Sequence, residues 1–278
     1  MTSRKRIPLA GVVGSPVAHS KSPRIFRHWL TRFGVRGHYI PMDVAEQDLE
    51  TAIRALPKLG FVGVNVTIPH KEHVLEIADL VSERANLTGS ANTLVFRDDG
   101  MVHADSTDGY GFMENLRSNA AEWDPAQGPA AVLGAGGAAR AVIVSLLKAG
   151  VEEIRLSNRT RARSENLGRE FGARVRVHDW SEAGDMLKGA KTVVNATSLG
   201  MVGCDRLSVP LGELSSDAVV TDLVYVPLET ELLAQARRIG CRTVDGLGML
   251  LFQAAPGFES WFGITPHVDD QLRQAVLS

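Results

Sequence analysis

The stretch AVLGAGGAAR, residues 131–140, joins a short apolar segment to a cluster of glycine and alanine. Residues from Gly134 to Ala139 match G-x-G-x-x-A, a variant of the dinucleotide-binding fingerprint. In that pattern Gly134 allows a sharp turn, Gly136 lets the backbone approach a pyrophosphate, and Ala139 lets helix and strand pack closely. Free N–H groups at the start of the following helix would face the phosphates. Because many glycine-rich turns bind nothing, the neighbouring elements have to decide between a cofactor site and a plain turn.

Those neighbours follow the order that the fingerprint requires. The apolar AAVLG predicts a strand, AARAVIVSLLKAG predicts a helix, and EEIRLSN predicts the next strand. KTVVNAT and AVVTDLVY continue the alternation as strands, and TELLAQARRIG as a helix. This context favours cofactor binding through residues Gly134, Ala135, Gly136, Gly137 and Ala138, and predicts a Rossmann-like domain over residues 109–246.

The end of the second strand of this domain indicates which nicotinamide cofactor is used. NAD sites usually carry an acidic residue there, which bonds the ribose hydroxyl. This chain has LSNRTRAR, residues 156–163, instead. Guanidinium groups suit a 2′-phosphate, whereas cations at a helix N-terminus are disfavoured by the helix dipole unless an anion offsets them. A solvated basic turn is the alternative, but the sequence predicts NADP in preference to NAD.

The N-terminal part of the chain alternates strands and helices in the same way. FVGVNVTI, residues 61–68, predicts a buried strand, and residues 71–89 predict a largely helical segment. Ser22 fits an N-cap position, and NTLVF and MVHAD around RDDG predict a hairpin. The apolar C-terminal helices are expected to return to this part. We therefore predict an α/β protein of two domains with a cleft between them. The N-terminal α/β substrate domain, with a mostly parallel sheet, covers residues 1–108 and 247–278, and the Rossmann-like NADP-binding domain covers residues 109–246.

Composition excludes several classes of protein. A formal net charge of −2 gives no electrostatic reason to expect a nucleic-acid or membrane-surface partner. Apolar runs fall short of the roughly 18 residues needed to span a bilayer, and Pro8 interrupts the short apolar stretch at the N-terminus. With only two cysteines, the composition predicts a cytoplasmic protein. His70 and His73 have a spacing seen in metal sites, but a second ligand cluster is missing, so we expect no metal.

Three stretches of the N-terminal part place polar side chains where a small substrate could bind. Ser20 and Ser22 lie at the mouth of a helix and could bind a carboxylate, although this stretch taken alone favours an ordinary serine-rich turn with an N-cap. Asn92 precedes a predicted strand, and Asp108 lies in a glycine-flanked loop. Local turn chemistry would also account for both.

Taken together, these stretches resemble the shikimate dehydrogenase family. The matching stretches are GSPVAHSKSP, NVTIPHK, GSANT, STDGYG, GAGGAAR, SNRT, NATSLGM, DLVYVP and DGLGMLLFQAAPGFESW, in the family's order and across nearly the whole chain. The resemblance implies reversible NADP-dependent oxidation of shikimate to 3-dehydroshikimate. It departs at Ser106, where the family commonly has asparagine, and at residues 202–210, where the usual proline-rich continuation is replaced.

The resemblance also implies roles for individual residues. Lys71 matches the catalytic lysine and Asp108 its partner. The implied substrate contacts are Ser20, Ser22, Thr67, Lys71, Asn92, Asp108, Tyr225 and Gln253. The implied cofactor contacts are Glu83, Gly134, Ala135, Gly136, Gly137, Ala138, Asn158, Arg159, Thr160, Arg161, Arg163, Leu223 and Gly246.

The proposed chemistry is consistent with these residue types. Hydride transfer to a ketone leaves an alkoxide, to which a lysine ammonium such as Lys71 can donate a proton while Asp108 orients it. Two alternatives stay open: a dehydrogenase that also takes quinate, and a non-catalytic regulatory protein that binds NADP. The expected partners are the small-molecule substrate and cofactor, with the protein a monomer or a homodimer.

Overall fold

The computed structural model describes residues 7–278, and these form two compact units. The first unit comprises the described residues up to Thr107 together with Gln253–Ser278, and the second is Asp108–Phe252. These limits differ from the predicted domain limits by one residue at the first boundary and by six at the second. In the part of the chain described, no helix has the length and apolar character needed to cross a membrane.

The first unit is built around a six-stranded mixed sheet. Its elements are β1 (Leu9–Gly14), α1 (Ser22–Arg32), β2 (His38–Asp43), α2 (Leu49–Ala55), β3 (Phe61–Val66), α3 (Val74–Ile77), β4 (Leu80–Val81), α4 (Glu83–Thr88), β5 (Thr93–Phe96) and β6 (Val102–Asp105), and later α10 (Asp270–Leu277). The strand order is β2-β1-β3-β5-β6-β4. β1 pairs in parallel with β2 and β3, whereas β5 is antiparallel to β3. β5 and β6 form the predicted antiparallel hairpin.

One side of this sheet carries an aromatic core. Phe26 of α1 stacks on Tyr39 with ring centroids 3.8 Å apart, and Phe258 packs against Trp29 at 5.3 Å. The indole N–H of Trp261 donates to the carbonyl of Leu94 over 3.0 Å. Large aromatic side chains dominate the burial energy of a core, so these contacts attach the C-terminal helix to the N-terminal sheet.

Two details of the first unit differ from the sequence predictions. The predicted helical segment at residues 71–89 is divided into two short helices, α3 and α4, because an extended segment, β4, pairs with β6 between them. Asp79, just before β4, accepts from the N–H of Val102 over 2.7 Å, which holds the chain extended there. Helix α1 begins at Ser22, with Lys21 in the N-cap position, so the predicted N-cap at Ser22 is one residue late.

The second unit contains a six-stranded parallel sheet. Its elements are α5 (Asp108–Asn119), β7 (Ala130–Leu133), α6 (Gly137–Ala149), β8 (Ile154–Ser157), α7 (Arg161–Phe171), β9 (Val175–His178), β10 (Thr192–Asn195), β11 (Val219–Asp222), α8 (Glu231–Ile239), β12 (Arg242–Val244) and the start of α9 (Gly246–Phe262). The strand order is β12-β11-β10-β7-β8-β9, and every pairing is parallel. Strands β7 to β9 are added toward one edge of the sheet and strands β10 to β12 toward the other, so the order of addition reverses between β7 and β10. This is the strand order of a Rossmann fold, which binds its ligand at that reversal, outside the carboxyl ends of the strands.

Candidate active site

The glycine motif forms the turn between β7 and α6. Gly134 adopts φ +111°, a left-handed conformation that side chains other than glycine rarely adopt, and its N–H donates to the carbonyl of Ser157 over 2.8 Å. A Cβ at Gly134 would lie 2.8 Å from the carbonyl oxygen of Ala196. The turn therefore needs glycine at this position, because both the backbone conformation and the neighbouring strand end exclude a side chain.

Gly136 meets a different requirement. It occupies the N-cap position of α6 with φ −93°, and a Cβ there would have no atom of the described residues within 4 Å. The open space lies beside the first N–H groups of α6, where an anion is favoured. Ala139, fully buried one turn further on, lets the helix lie close to the sheet. The geometry fits a pyrophosphate bound through backbone N–H groups.

The basic segment after β8 begins α7. The side-chain amide of Asn158 donates to the carbonyl of Thr160 over 2.9 Å, which shapes the turn. Arg159, Arg161 and Arg163 are all exposed. Arg159 lies 3.6 Å from Asp205, measured from Nη1 to Oδ2.

Arg161 is held more firmly than Arg159. Its Nε donates to Glu165 over 2.7 Å, and its Nη1 bonds the carboxylate of Asp179 at the end of β9. These two hydrogen-bonded carboxylates, Asp179 foremost, raise the pKa of the Arg161 guanidinium. Two acids accept from the Nε and Nη1 groups of Arg161, whereas Arg159 faces one carboxylate.

The carboxyl ends of β10 and β11 are joined by a buried polar pair. Asn195 donates through Nδ2 to Asp222 over 2.8 Å and to the carbonyl of Leu199 over 3.1 Å. Asp222 also accepts from the hydroxyl of Thr230 over 2.7 Å and from the N–H of Val224 over 3.0 Å. Burial nevertheless raises the pKa of Asp222 to about 6, since the three donors only partly offset the loss of water.

Two of the implied cofactor contacts lie next to this pair in the chain or against its neighbours. The N–H of Leu223 donates to the carbonyl of Asn195 over 2.9 Å, and a Cβ at Gly246 would collide with the carbonyl of Leu223. Leu223 and Gly246 thus lie against each other at the carboxyl edge of the sheet. Tyr225, two residues further on, is half-buried, and burial raises the pKa of its phenol.

On the first unit, the two serines lie at the start of α1. The N–H of Ser22 donates to the hydroxyl of Ser20 over 3.3 Å. Ser22 is buried and hydrogen-bonds Tyr39, whose pKa is raised well above its usual value because burial outweighs that bond. Ser20 is half-buried and lies next to the first amides of the helix.

The stretch from Thr67 to Lys71 follows β3 rather than continuing it. Thr67 lies just past the end of the strand, and its N–H still donates to the carbonyl of Val13 over 2.9 Å. His70 is fully buried, with Nε2 2.7 Å from the carbonyl of Val44. Lys71 is half-buried, and its carbonyl accepts from the N–H of Ala91 over 2.8 Å.

Asn92 is the centre of a buried hydrogen-bond network. Its Nδ2 donates to Oε1 of Gln253 over 2.9 Å, and its Oδ1 accepts from the N–H of Thr107 over 2.8 Å and from the Thr107 hydroxyl over 3.1 Å. The Thr107 hydroxyl also lies 2.8 Å from the carbonyl of Gln253. Behind it, Asn65 donates to the carbonyl of Asn92 over 3.0 Å and accepts from the Tyr39 hydroxyl over 2.7 Å. The implied substrate contacts Ser22, Asn92 and Gln253 therefore belong to one connected network.

Two further implied site residues begin helices. Asp108 is the first residue of α5, is buried, and directly follows Thr107. Glu83 is the first residue of α4 in the first unit, whereas the glycine motif belongs to the second. Among residues 7–278, no group of three or more histidine, cysteine, aspartate or glutamate side chains is placed to hold a metal ion.

Comparison with known proteins identifies the family of this chain. The family model described as the shikimate dehydrogenase substrate binding domain matches residues 12–94, and the model described as shikimate / quinate 5-dehydrogenase matches residues 118–210. The chain belongs to the shikimate dehydrogenase family.

Several shikimate dehydrogenases are similar over the full length. The protein named shikimate dehydrogenase (NADP(+)) of Cereibacter sphaeroides is 63% identical over 278 residues, covering all of both chains. The structure of shikimate 5-dehydrogenase from Thermus thermophilus in complex with NADP(H) and shikimate is 35% identical, with a TM-score of 0.86 over 98% of this chain and 99% of that one. Quinate dehydrogenase from Corynebacterium glutamicum in complex with NAD is 31% identical, with a TM-score of 0.91 over 98% and 99%.

For this member of the shikimate dehydrogenase family, the sequence predictions missed three supporting residues. Tyr39, Asn65 and Thr107 connect the implied substrate contacts but were not predicted as part of the site. Asn65 carried a usable signal, since a buried asparagine inside an apolar strand needs partners for its amide. The partners themselves come from other strands, and sequence spacing does not reveal them.

Proposed function

We propose that the protein catalyses the reversible, NADP-dependent reduction of 3-dehydroshikimate to shikimate. The observation that carries this proposal is the 63% identity over the whole chain to shikimate dehydrogenase (NADP(+)) of Cereibacter sphaeroides. The site geometry supports it. The open space at Gly136, beside the first N–H groups of α6, fits the pyrophosphate of NADP, and Arg159 supplies a guanidinium for the 2′-phosphate.

In this proposal the chain supplies the proton and the orientation. Bound NADPH supplies the hydride. Lys71, as an ammonium, polarises the ketone oxygen and donates a proton to the alkoxide as it forms; in the oxidative direction it accepts that proton. Asp108 orients the Lys71 ammonium and accepts from a neighbouring substrate hydroxyl.

The remaining contacts orient the substrate. The hydroxyls of Ser20 and Ser22, next to the first amides of α1, bind the carboxylate. The ring hydroxyls are bound by Thr67, Asn92, Tyr225 and Gln253. Because Asn92 and Gln253 are hydrogen-bonded to each other in a buried network, they are ordered before substrate arrives, which lowers the entropic cost of binding.

The cofactor contacts are grouped by the part of NADP that they bind. The motif residues Gly134, Ala135, Gly136, Gly137 and Ala138 bind the pyrophosphate, and Leu223 and Gly246 contact the nicotinamide side. The segment that binds the adenosine phosphate comprises Asn158, Arg159, Thr160, Arg161 and Arg163. Glu83, on the other unit, is proposed only by family resemblance.

We also propose that the enzyme acts in the cytoplasm, as a monomer or a homodimer, on small molecules rather than nucleic acid. Both Cys204 and Cys241 are free thiols, which fits a reducing compartment.

Quinate is the second candidate substrate. The observation that favours quinate is the similarity to a quinate dehydrogenase over nearly the whole chain, with a TM-score of 0.91. The test is steady-state oxidation of shikimate and of quinate, each with NADP⁺ and with NAD⁺. We expect the highest kcat/KM for shikimate with NADP⁺. Comparable kcat/KM for quinate would replace the proposal with a broader dehydrogenase, and no turnover of either acid would refute it.

A further inference from the structure

The ion pair between Arg159 and Asp205 joins two segments of the second unit. Arg159 belongs to the segment implied to bind the 2′-phosphate, and Asp205 belongs to the loop after β10. Their charged atoms are 3.6 Å apart, with 59% of the Arg159 side chain and 85% of the Asp205 side chain exposed. Such an exposed pair is weak, so an anion that binds Arg159 more strongly would displace the carboxylate.

The loop that carries Asp205 is anchored at several points. The N–H of Gly200 donates to the carbonyl of Asp205 over 2.8 Å, and the N–H of Val202 donates to the carbonyl of Val226 over 2.9 Å. At its base, the carbonyl of Leu199 accepts from the buried amide of Asn195. These bonds hold the backbone at Asp205, so the carboxylate is presented to Arg159 from a defined loop.

We propose that Asp205 is a specificity-determining residue that competes with the 2′-phosphate of NADP for Arg159. This inference rests on the proposed function, because it assumes that Arg159 binds that phosphate. When NADP⁺ binds, either the Asp205–Arg159 pair is broken or two negative charges share one guanidinium. Both weaken NADP⁺. Neither affects NAD⁺, whose 2′-hydroxyl is uncharged. Asp205 thus reduces the discrimination between the two cofactors.

The surroundings of Arg161 make Arg159 the more important of the two. Glu165 and Asp179 both bond the Arg161 guanidinium, so two negative charges face one positive charge there. A phosphate approaching Arg161 meets that local excess of negative charge, whereas Arg159 faces a single exposed carboxylate. The selectivity for the 2′-phosphate therefore depends on the Arg159–Asp205 pair more than on Arg161.

The test is a titration of the full-length protein with NADP⁺ and with NAD⁺, without substrate, at low ionic strength. Asp205→Asn removes the charge and keeps the shape of the side chain. We expect it to lower the Kd for NADP⁺ by about two- to fivefold and to leave the Kd for NAD⁺ unchanged, because an exposed ion pair is weak. Arg159→Ala should weaken NADP⁺ by roughly 10- to 100-fold through loss of a charge-assisted bond. In that background Asp205→Asn should lose most of its effect. Asp217→Asn is the matched control, since Asp217 is an exposed acid paired with Lys191 in the same unit, before β11.

The inference is overturned if Asp205→Asn leaves the affinity for NADP⁺ unchanged or lowers it. It is also overturned if Asp205→Asn raises the affinity for NAD⁺ by the same factor, or if its effect on NADP⁺ affinity is as large in the Arg159→Ala background as in the wild type. An equal gain in Asp217→Asn would also overturn it, since net charge alone would then explain the result. Because binding is measured without turnover, the two proposals separate. If the wild type oxidises shikimate but Asp205→Asn has no effect on NADP⁺ affinity, only this inference is refuted. If the affinities change as expected but the wild type shows no turnover, only the proposed function is refuted.

Discussion

His70 and Lys71 are neighbours in NVTIPHK but have different surroundings. His70 is fully buried and is bonded through Nε2 to the carbonyl of Val44, so its ring supports the fold. Lys71 is half-buried. The sequence alone favoured the lysine over the histidine for chemistry. It could not show why the histidine is unsuited, because Val44 is 26 residues away in the chain.

The role of Lys71 can be tested by removing its amine. Lys71→Ala should lower kcat for shikimate oxidation by about 10²- to 10⁴-fold, the usual contribution of a positioned acid or base, and leave the Kd for NADP⁺ within twofold. Steady-state rates and a cofactor titration measure both. Lys58→Ala, at an exposed lysine of the same unit, is the control and should retain full activity. Full turnover in Lys71→Ala would contradict the role of Lys71 as the acid and base, whereas no turnover in the wild type would favour the non-catalytic alternative.

At the scale of single elements, the turn between β7 and α6 was the most predictable part of the molecule. The glycine spacing determines a strand, a turn and a helix within a few residues, and all three lie where the sequence placed them. The segment between Lys71 and Gly89 was predicted only in part, because the strand β4 between its two helices was missed. Its apolar residues suit a helix, but β4 gains a parallel partner in β6, more than 20 residues further on. Tertiary pairing outweighed local propensity there.

Gly134 and Gly136 offer a matched pair of substitutions within one motif. Gly134→Ala should lower the free energy of unfolding by roughly 2 kcal/mol, because φ is +111° and the added Cβ would meet the carbonyl of Ala196. Gly136→Ala should change it by less than about 0.5 kcal/mol, since its φ suits alanine and the space is open. Urea unfolding measures both.

The second readout of this pair is cofactor affinity. Gly136→Ala should weaken NADP⁺ at least about tenfold, because the methyl group occupies the space proposed for the pyrophosphate. If Gly136→Ala bound NADP⁺ as tightly as the wild type, the pyrophosphate would have to lie elsewhere.

For the molecule as a whole, pH should act on stability through Asp222. Its pKa in the folded protein is about 6, above the 3.8 of an ordinary aspartate, so the folded state binds the proton more tightly. This contribution is fully present below about pH 4 and is lost as the pH rises through about 6. At 1.36 kcal/mol per unit it amounts to roughly 3 kcal/mol. Carboxylates with lowered pKa values, such as Asp79 beside the Val102 N–H and Arg54, act in the opposite direction.

The contribution of Asp222 is isolated by comparison with Asp222→Asn, whose amide oxygen can accept from Asn195 while its amide N–H donates to the Thr230 hydroxyl. Urea unfolding at pH 4 and pH 7 should show that the wild type loses stability relative to Asp222→Asn as the pH rises. A difference between the two proteins that does not change with pH would show that Asp222 ionises normally.

The polar networks illustrate what sequence could and could not provide at this scale. The α/β alternation, the Rossmann-like domain and the return of the C-terminal helices followed from periodicity and motif order. The bonds from Asn92 to Gln253 and from Asn195 to Asp222 join residues 161 and 27 positions apart, and nothing in the local sequence specifies those partners.

The return of residues 253–278 to the first unit has a consequence for synthesis on the ribosome. Phe258 and Trp261 complete the aromatic core of a sheet whose strands all precede residue 106, yet they are made only after the entire second unit. Until then Phe26 and Trp29 lack their contacts with Phe258, although Phe26 can already stack on Tyr39. Those aromatic side chains are the surface on which we expect a chaperone to act during translation.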